Sequence, residues 1–249
     1  MKSPYQLMRL SGSRIRTLCG TLARDRFALV KPLGQGRFGS CFLVSRETSD
    51  YVLKVFNPND VKRRKEKLTR ESKLLKRIDH PAIPKLIQVL DRDGFYGLVM
   101  EKMPGPSLAD LLEWDHSFSK TEITAIMAQL IAVMEYLAGL NISHRDIKTD
   151  NILWTGEQLS LIDFGTASGV SRFNSRFNPD CWSLGDVFLR LAANCDEMTA
   201  SSNDFSLAQL DLKPVQREVI ERLLSIKRPY RDFHTLTEEF NHAWLKNTD

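Results

Sequence analysis

The sequence predicts an α+β fold of two lobes, strand-rich first and helical after, on three observations. Short runs of β-branched and aromatic residues occupy the chain from Arg26 to Met100. The segment Met103-Pro104-Gly105-Pro106 then breaks it like a hinge. Nearly every apolar segment beyond has helical spacing. The expected division is a basic N-terminal extension over 1–24, a strand-rich lobe over 25–103 and a helical lobe over 104–249, with a cleft between the lobes. A chain of 249 residues is long enough to bury a substantial core.

Taken in order, residues 1–24 hold no acidic residue but carry Lys2, Arg9, Arg14, Arg16 and Arg24 among Leu7, Leu10, Ile15, Leu18 and Leu22. The preferred reading is a segment packed on the body or lying loose. The alternative is a basic amphipathic segment for weak contact with a membrane surface or an acidic partner. Strands are expected over Phe27 to Leu33, Cys41 to Ser45 and Tyr51 to Phe56. Asn57-Pro58-Asn59-Asp60 supplies turn and N-cap chemistry before a charged helix running to about Ile78. Within that helix, Lys62-Arg63-Arg64-Lys65 reads as a solvated face. Two more strands follow, around Pro84 to Leu90 and Gly94 to Met100. Helices are expected over Ser107 to Leu112, Ser119 to Leu140, Trp182 to Ala193, Pro214 to Leu224 and Thr235 to Leu245.

The stretch Ile123 to Leu140 has about the length of a membrane span, but Gln129 and Glu135 interrupt it, so a buried core helix is expected instead of a transmembrane segment. Cys19, Cys41, Cys181 and Cys195 lie far apart, without a C-x-x-C pair or zinc spacing. They read as free thiols of a cytoplasmic protein. The net charge of +4 suits an anionic ligand and does not by itself argue for nucleic acid.

Gly34-Gln35-Gly36-Arg37-Phe38-Gly39 is a weak signal alone. Here, however, it lies between two strands, as a flap whose backbone N–H groups can fold over phosphates. Lys54 sits within Val52-Leu53-Lys54-Val55-Phe56, and Glu71 on the following helix can reach it across the lobe. A buried ion pair is poor evidence of stability and makes better sense as a device that positions an ammonium. His144-Arg145-Asp146-Ile147-Lys148-Thr149-Asp150-Asn151 and Asp163-Phe164-Gly165 add oxygen ligands of the kind magnesium prefers.

This set, in this order, resembles the Hanks-type serine/threonine protein kinases, and the match runs from about Arg26 to the end of the chain, including His80-Pro81 and Asp180-Cys181-Trp182-Ser183-Leu184-Gly185. The resemblance implies a bilobal protein-kinase-like fold, with ATP and Mg²⁺ as cofactors and a protein as substrate. It implies that Asp146 is the catalytic base, that Lys148 steadies the γ-phosphate, and that Lys54, held by Glu71, contacts the α- and β-phosphates. Asn151 and Asp163 would hold the metal. The nucleotide would lie against Leu33, Gly34, Gly36, Gly39, Cys41, Val52 and Leu153. Met100 would be the gatekeeper, and the backbones of Glu101 and Met103 the hinge partners.

The chain also departs from the family. Asp163 and Asp180 are only 17 positions apart. The Ala-Pro-Glu motif of that interval is missing, so Arg228 lacks the glutamate it would normally pair with. Activation by loop phosphorylation is not expected, because so short a loop would not reach back to Arg145, although Thr166, Ser168, Ser171 and Ser175 stand as the candidate sites in it. Transfer to Ser/Thr hydroxyls of proteins is the leading reading. The alternatives are a kinase-fold phosphotransferase for a small molecule or lipid, and a nucleotide-binding pseudokinase scaffold.

Overall fold

The computed structural model describes residues 11–35, 39–169, 177–198 and 207–245, without the side chains of 58–60 and 62–67. The chain forms two compact units that divide between Met103 and Pro104, at the Pro/Gly break.

In the first unit, helix α1 (Gly12–Ala23) precedes strands β1 (Ala28–Gln35), β2 (Gly39–Arg46) and β3 (Ser49–Phe56). Helix α2 (Pro58–Leu75) and strands β4 (Leu86–Arg92) and β5 (Phe95–Glu101) follow. The five strands form one antiparallel sheet in the order β1-β2-β3-β5-β4. Directly opposed residues share a face, and successive residues alternate. The register therefore places Cys41, Val52, Lys54, Leu98 and Met100 on one face, and Phe42, Leu53, Val55 and Val99 on the other.

Helix α1 covers that second face. Its Leu18 and Leu22 are buried in one cluster with Phe27, Phe42, Val44, Leu53, Phe95 and Val99, each leucine contributing roughly 1.5–3 kcal/mol of apolar burial. Its polar side grips the β4–β5 turn. Thr21 Oγ1 donates to Asp93 Oδ2 at 2.7 Å, Arg24 pairs with the same carboxylate at 3.1 Å, and Arg14 Nη2 donates to the Gly94 carbonyl at 3.1 Å. Asp93 and Gly94 both have positive φ, 52° and 73°, as a two-residue hairpin turn of this twist requires. The 11–24 part of the extension is thus packed on the body, and Leu18 and Leu22 are unavailable to a membrane surface. Residues 1–10 lie outside the described residues.

Helix α2 lies on the opposite face. Asn57 occupies its N-cap position without a capping side-chain bond, and Pro58 opens it. Leu68, Leu74 and Leu75 are buried, and Ser72 Oγ is within 3.4 Å of the Tyr96 hydroxyl. This packing turns Glu71 toward the sheet. The Lys62–Lys65 run lies on α2 among side chains that are not described.

The second unit contains α3 (Leu108–Glu113), α4 (Lys120–Gly139), the short hairpin β6 (Ile152–Trp154) and β7 (Leu159–Leu161), then α5 (Pro179–Ala192), α6 (Pro214–Leu223) and α7 (Phe233–Trp244). Among the described residues α4 alone is long and apolar enough to cross a membrane. Its Ile126, Met127, Leu130, Met134 and Leu137 are buried, and it packs against α5, α7 and β7. Both polar interruptions have partners. Gln129 brackets the β6–β7 turn, donating to the Glu157 carbonyl at 2.8 Å and accepting from Leu159 N at 2.9 Å. Glu135 accepts from Thr237 Oγ1 of α7 at 2.7 Å.

Helix α5 starts three residues before the expected Trp182, because Asn178 caps it and Pro179 fits the first helical position. Gly105, at φ +92°, is obligatory: a Cβ there would lie 2.6 Å from the Trp154 carbonyl oxygen.

Candidate active site

In the first unit the expected residues gather on the α2-facing side of the sheet. Lys54 Nζ meets Glu71 Oε1 at 2.8 Å and Oε2 at 3.1 Å, with the side chains only 8% and 3% exposed. Both carboxylate oxygens are engaged, so the ammonium is held in direction as well as in place. Cys41 is directly opposite Lys54, and Val52 is opposite Met100; all three apolar residues are half-buried. Leu33 is exposed and Gly34 lies near the end of β1. Gly36, Arg37 and Phe38 lie outside the described residues.

Gly39 has a reason beyond the one expected. A Cβ there would fall 2.0 Å from the Val55 carbonyl oxygen, so the close approach of β3 by itself already forbids a side chain. Glu101 donates its N–H to the Lys85 carbonyl at 2.9 Å, so that N–H is already engaged within the unit. Met103 ends the unit, half-buried.

In the second unit the loop after α4 brings Asp146, Lys148 and Asn151 together. Asn151 Nδ2 donates to the Asp146 carbonyl at 2.8 Å and to Asp146 Oδ2 at 3.0 Å. Lys148 Nζ stands 3.4 Å from the same Oδ2. Leu153, half-buried on β6, is fixed by a bridge to Ser107. Asp163 follows β7 at φ +63°, and its Oδ1 accepts from Gly165 N at 3.2 Å.

His144 is fully buried at the centre of this loop. Its Nε2 lies 3.2 Å from the Ile162 carbonyl, its Nδ1 accepts from Asp146 N at 3.3 Å, and Phe164 meets it edge-on at 4.8 Å. Burial lowers its pKa, overriding the pull of Asp180, Asp163 and Asp146, so the ring is neutral. A neutral ring with its proton on Nε2 satisfies both bonds.

The residue whose role the sequence reading missed is Asp180. It is 2% exposed in the first turn of α5. Its carboxylate accepts from Ser143 Oγ at 2.6 Å, from His144 N at 3.0 Å and from Arg145 N at 2.7 Å. Those bonds hold Arg145 at φ +65°, a conformation few side chains adopt. Asp180 therefore sets the backbone from which Asp146 projects. The legible signal was Asn178-Pro179, which marks a helix start and puts Asp180 in its first turn; its target, 35 residues upstream, was not legible.

The segment after Asp163 does reach back, contrary to expectation. Ser168 and Ser143 exchange two backbone hydrogen bonds at 3.0 Å, and Thr166 Oγ1 donates to the His144 carbonyl at 3.1 Å. Ser168 is buried and the Thr166 hydroxyl is engaged, so neither is presented for modification. Ser171 and Ser175 lie outside the described residues.

The protein kinase domain family matches residues 27–178. The chain is similar to a probable serine/threonine-protein kinase of Bacillus subtilis, YbdM, at 32% identity over 90% of this chain and 91% of that protein. It is similar to calcium-dependent protein kinase 4 of Plasmodium falciparum at 32% identity, over 89% of this chain and 50% of the relative. Protein kinase 3 of Dictyostelium discoideum matches at 34% identity over 60% of this chain but 17% of its own length. The chain thus spans nearly all of the bacterial relative and half or less of the other two. With the domain match covering more than half of its length, and the loop geometry above in place, the chain belongs to the protein kinase family, among the Hanks-type serine/threonine kinases.

Proposed function

We propose that the protein transfers the γ-phosphate of ATP to serine or threonine hydroxyls of protein substrates. The observation that carries this reading is the Asp146–Lys148–Asn151 arrangement on a loop pinned by Asp180. Asp146 is fixed by the Asn151 amide, so its carboxylate is placed to accept the proton of an acceptor hydroxyl as the new O–P bond forms. ADP leaves with the electrons of the broken bond. Lys148, beside that carboxylate, supplies a positive charge for the phosphoryl group in transit. In the first unit, Lys54 directed by Glu71 suits the α- and β-phosphates, and the apolar Cys41 and Val52 on the same sheet face suit adenine.

The donor set fits magnesium. Asn151 spends its amide N–H groups on Asp146, which turns its amide oxygen to other use, and Asp163 adds a carboxylate; both are hard oxygen donors. Asn151 and Asp163 would hold the ion, which when bound neutralises charge on the phosphate oxygens.

The test is transfer of radiolabel from ATP to generic protein acceptors in the presence of Mg²⁺, comparing wild type with Asp146→Ala and Asp163→Ala. Label on Ser/Thr with wild type, and a rate about 10²–10⁴ lower for Asp146→Ala, is the expected result. Wild-type rates in Asp146→Ala would refute the base assignment. ATP consumption without labelled protein would point to a small-molecule acceptor.

A further inference from the structure

The helical unit carries a second cationic site, built from residues the phosphoryl-transfer chemistry does not use. The α6–α7 connection and the start of α7 enclose a surface pocket of about 270 Å³ lined by Arg222, Arg228, Pro229, Arg231, Asp232 and Thr235. The three arginines are not equivalent. Arg222 is committed: it stacks 3.9 Å above the Tyr230 ring, donates from Nε to the Arg228 carbonyl at 3.2 Å, and pairs through Nη1 with Glu239. Arg228 and Arg231 are exposed, and neither guanidinium has a hydrogen-bond or ion-pair partner among the described residues.

Asp232 is the one carboxylate in the lining. Its Oδ1 accepts from Thr235 N at 2.7 Å to cap α7, and that bond is the main reason its pKa lies below the usual carboxylate value. Two uncompensated guanidiniums thus share a small pocket with an anion that already has its own donor. Like charges lining one small pocket favour a counter-ion, and a single carboxylate would balance only one of them. A phosphate monoester carries about −1.5 to −2 charges at neutral pH and three acceptor oxygens, which matches two guanidinium forks. The pocket has room for that group and for the side chain bearing it.

We propose that this pocket binds the phosphate of a phosphoserine or phosphothreonine on a protein, docking the kinase onto a segment that is already phosphorylated. Docking needs no turnover, so it can fail while the assigned reaction stands, and the reverse.

Fluorescence anisotropy on the full chain tests it, using a labelled degenerate peptide mixture with a central phosphoserine. Companion mixtures carry serine or glutamate at that position, and inorganic phosphate serves as competitor. The phosphoserine mixture is expected to bind at least about tenfold more tightly than either companion. Arg228→Ala and Arg231→Ala should each weaken it by about tenfold, the scale of one charge-assisted contact. Lys227→Ala, a neighbouring cation tied to Glu221, should change it less than about twofold. Unchanged melting temperatures in all three variants would show that folding is not the cause. Equal binding of the glutamate mixture, an equal loss in Lys227→Ala, or inorganic phosphate binding as tightly as the peptide would each overturn the proposal.

Discussion

Glu71 and Asp180 are both almost fully buried carboxylates, one in each unit, and they hold their sites by different means. Glu71 holds the ammonium of Lys54 with both oxygens. Asp180 engages two backbone N–H groups and a hydroxyl on three successive residues. The first is a contact between two side chains, so substitution can remove both halves. The second is a cage around main chain, and main chain cannot be substituted away. A buried ion pair often contributes little net stability, because desolvation offsets the attraction, whereas buried donors that lose their acceptor cost their full desolvation. The Glu71 contact is therefore a device for orientation. The Asp180 contacts are both orientation and structure.

That contrast is open to test, and the largest effect is expected at Asp180. Asp180→Ala should destabilise the helical unit by on the order of 4 kcal/mol in chemical denaturation and abolish transfer, with no apolar second-site change restoring either. Glu71→Leu alone should cost about 3 kcal/mol by stranding the Lys54 charge. Lys54→Met/Glu71→Leu should recover to within about 1 kcal/mol of wild type while remaining inactive. Failure of the double variant to recover would show that the pair stabilises the sheet after all. Leu18→Ala, which opens a cavity under α1, should cost about 2–4 kcal/mol in the first unit without touching the catalytic loop.

The smallest effect concerns the grip of α1 on Asp93. The Thr21 hydroxyl, and secondarily Arg24, favours the ionised form and lowers the carboxyl pKa below its ordinary 3.8. The stabilisation is present above the ordinary value and fades as pH falls through the lowered one. Asp93→Asn should flatten this acid limb in a melting-temperature profile. An unchanged limb would mean that the Thr21 contact adds nothing in solution.

Elements with a strong internal period were legible from residues alone. The five strands of the sheet and helices α2 to α7 lie within a few residues of where spacing puts them, since alternation and 3.6-residue periodicity record which side is buried; the short β6–β7 hairpin and α1 were not placed. The motif residues were legible because chemistry restricts their types. What could not be read were partners. Leu18 and Leu22 announce an apolar stripe, but only the folded sheet reveals Phe42 and Val99 beneath it. Gly39 reads as a phosphate-binding glycine, but that the Val55 carbonyl also excludes a side chain there could not be read. Thr166 and Ser168 stand among the candidate hydroxyls, but the His144 carbonyl engages the first and the bridge to Ser143 buries the second. In each case the deciding atom lies far along the chain, where local pattern carries no information.

The position of α1 also bears on how the protein is made. Thr21 and Asp93 are 72 residues apart, and Leu18 reaches its partners Phe95 and Val99 at similar separation. At roughly 5–20 residues per second of synthesis, a nascent chain displays this apolar stripe for several seconds before β5 exists to receive it. The first unit cannot close outward from its beginning. It must wait for its last hairpin, so its assembly is a long-range event, slow for its size, that exposes its earliest helix to whatever else in the cell binds apolar segments.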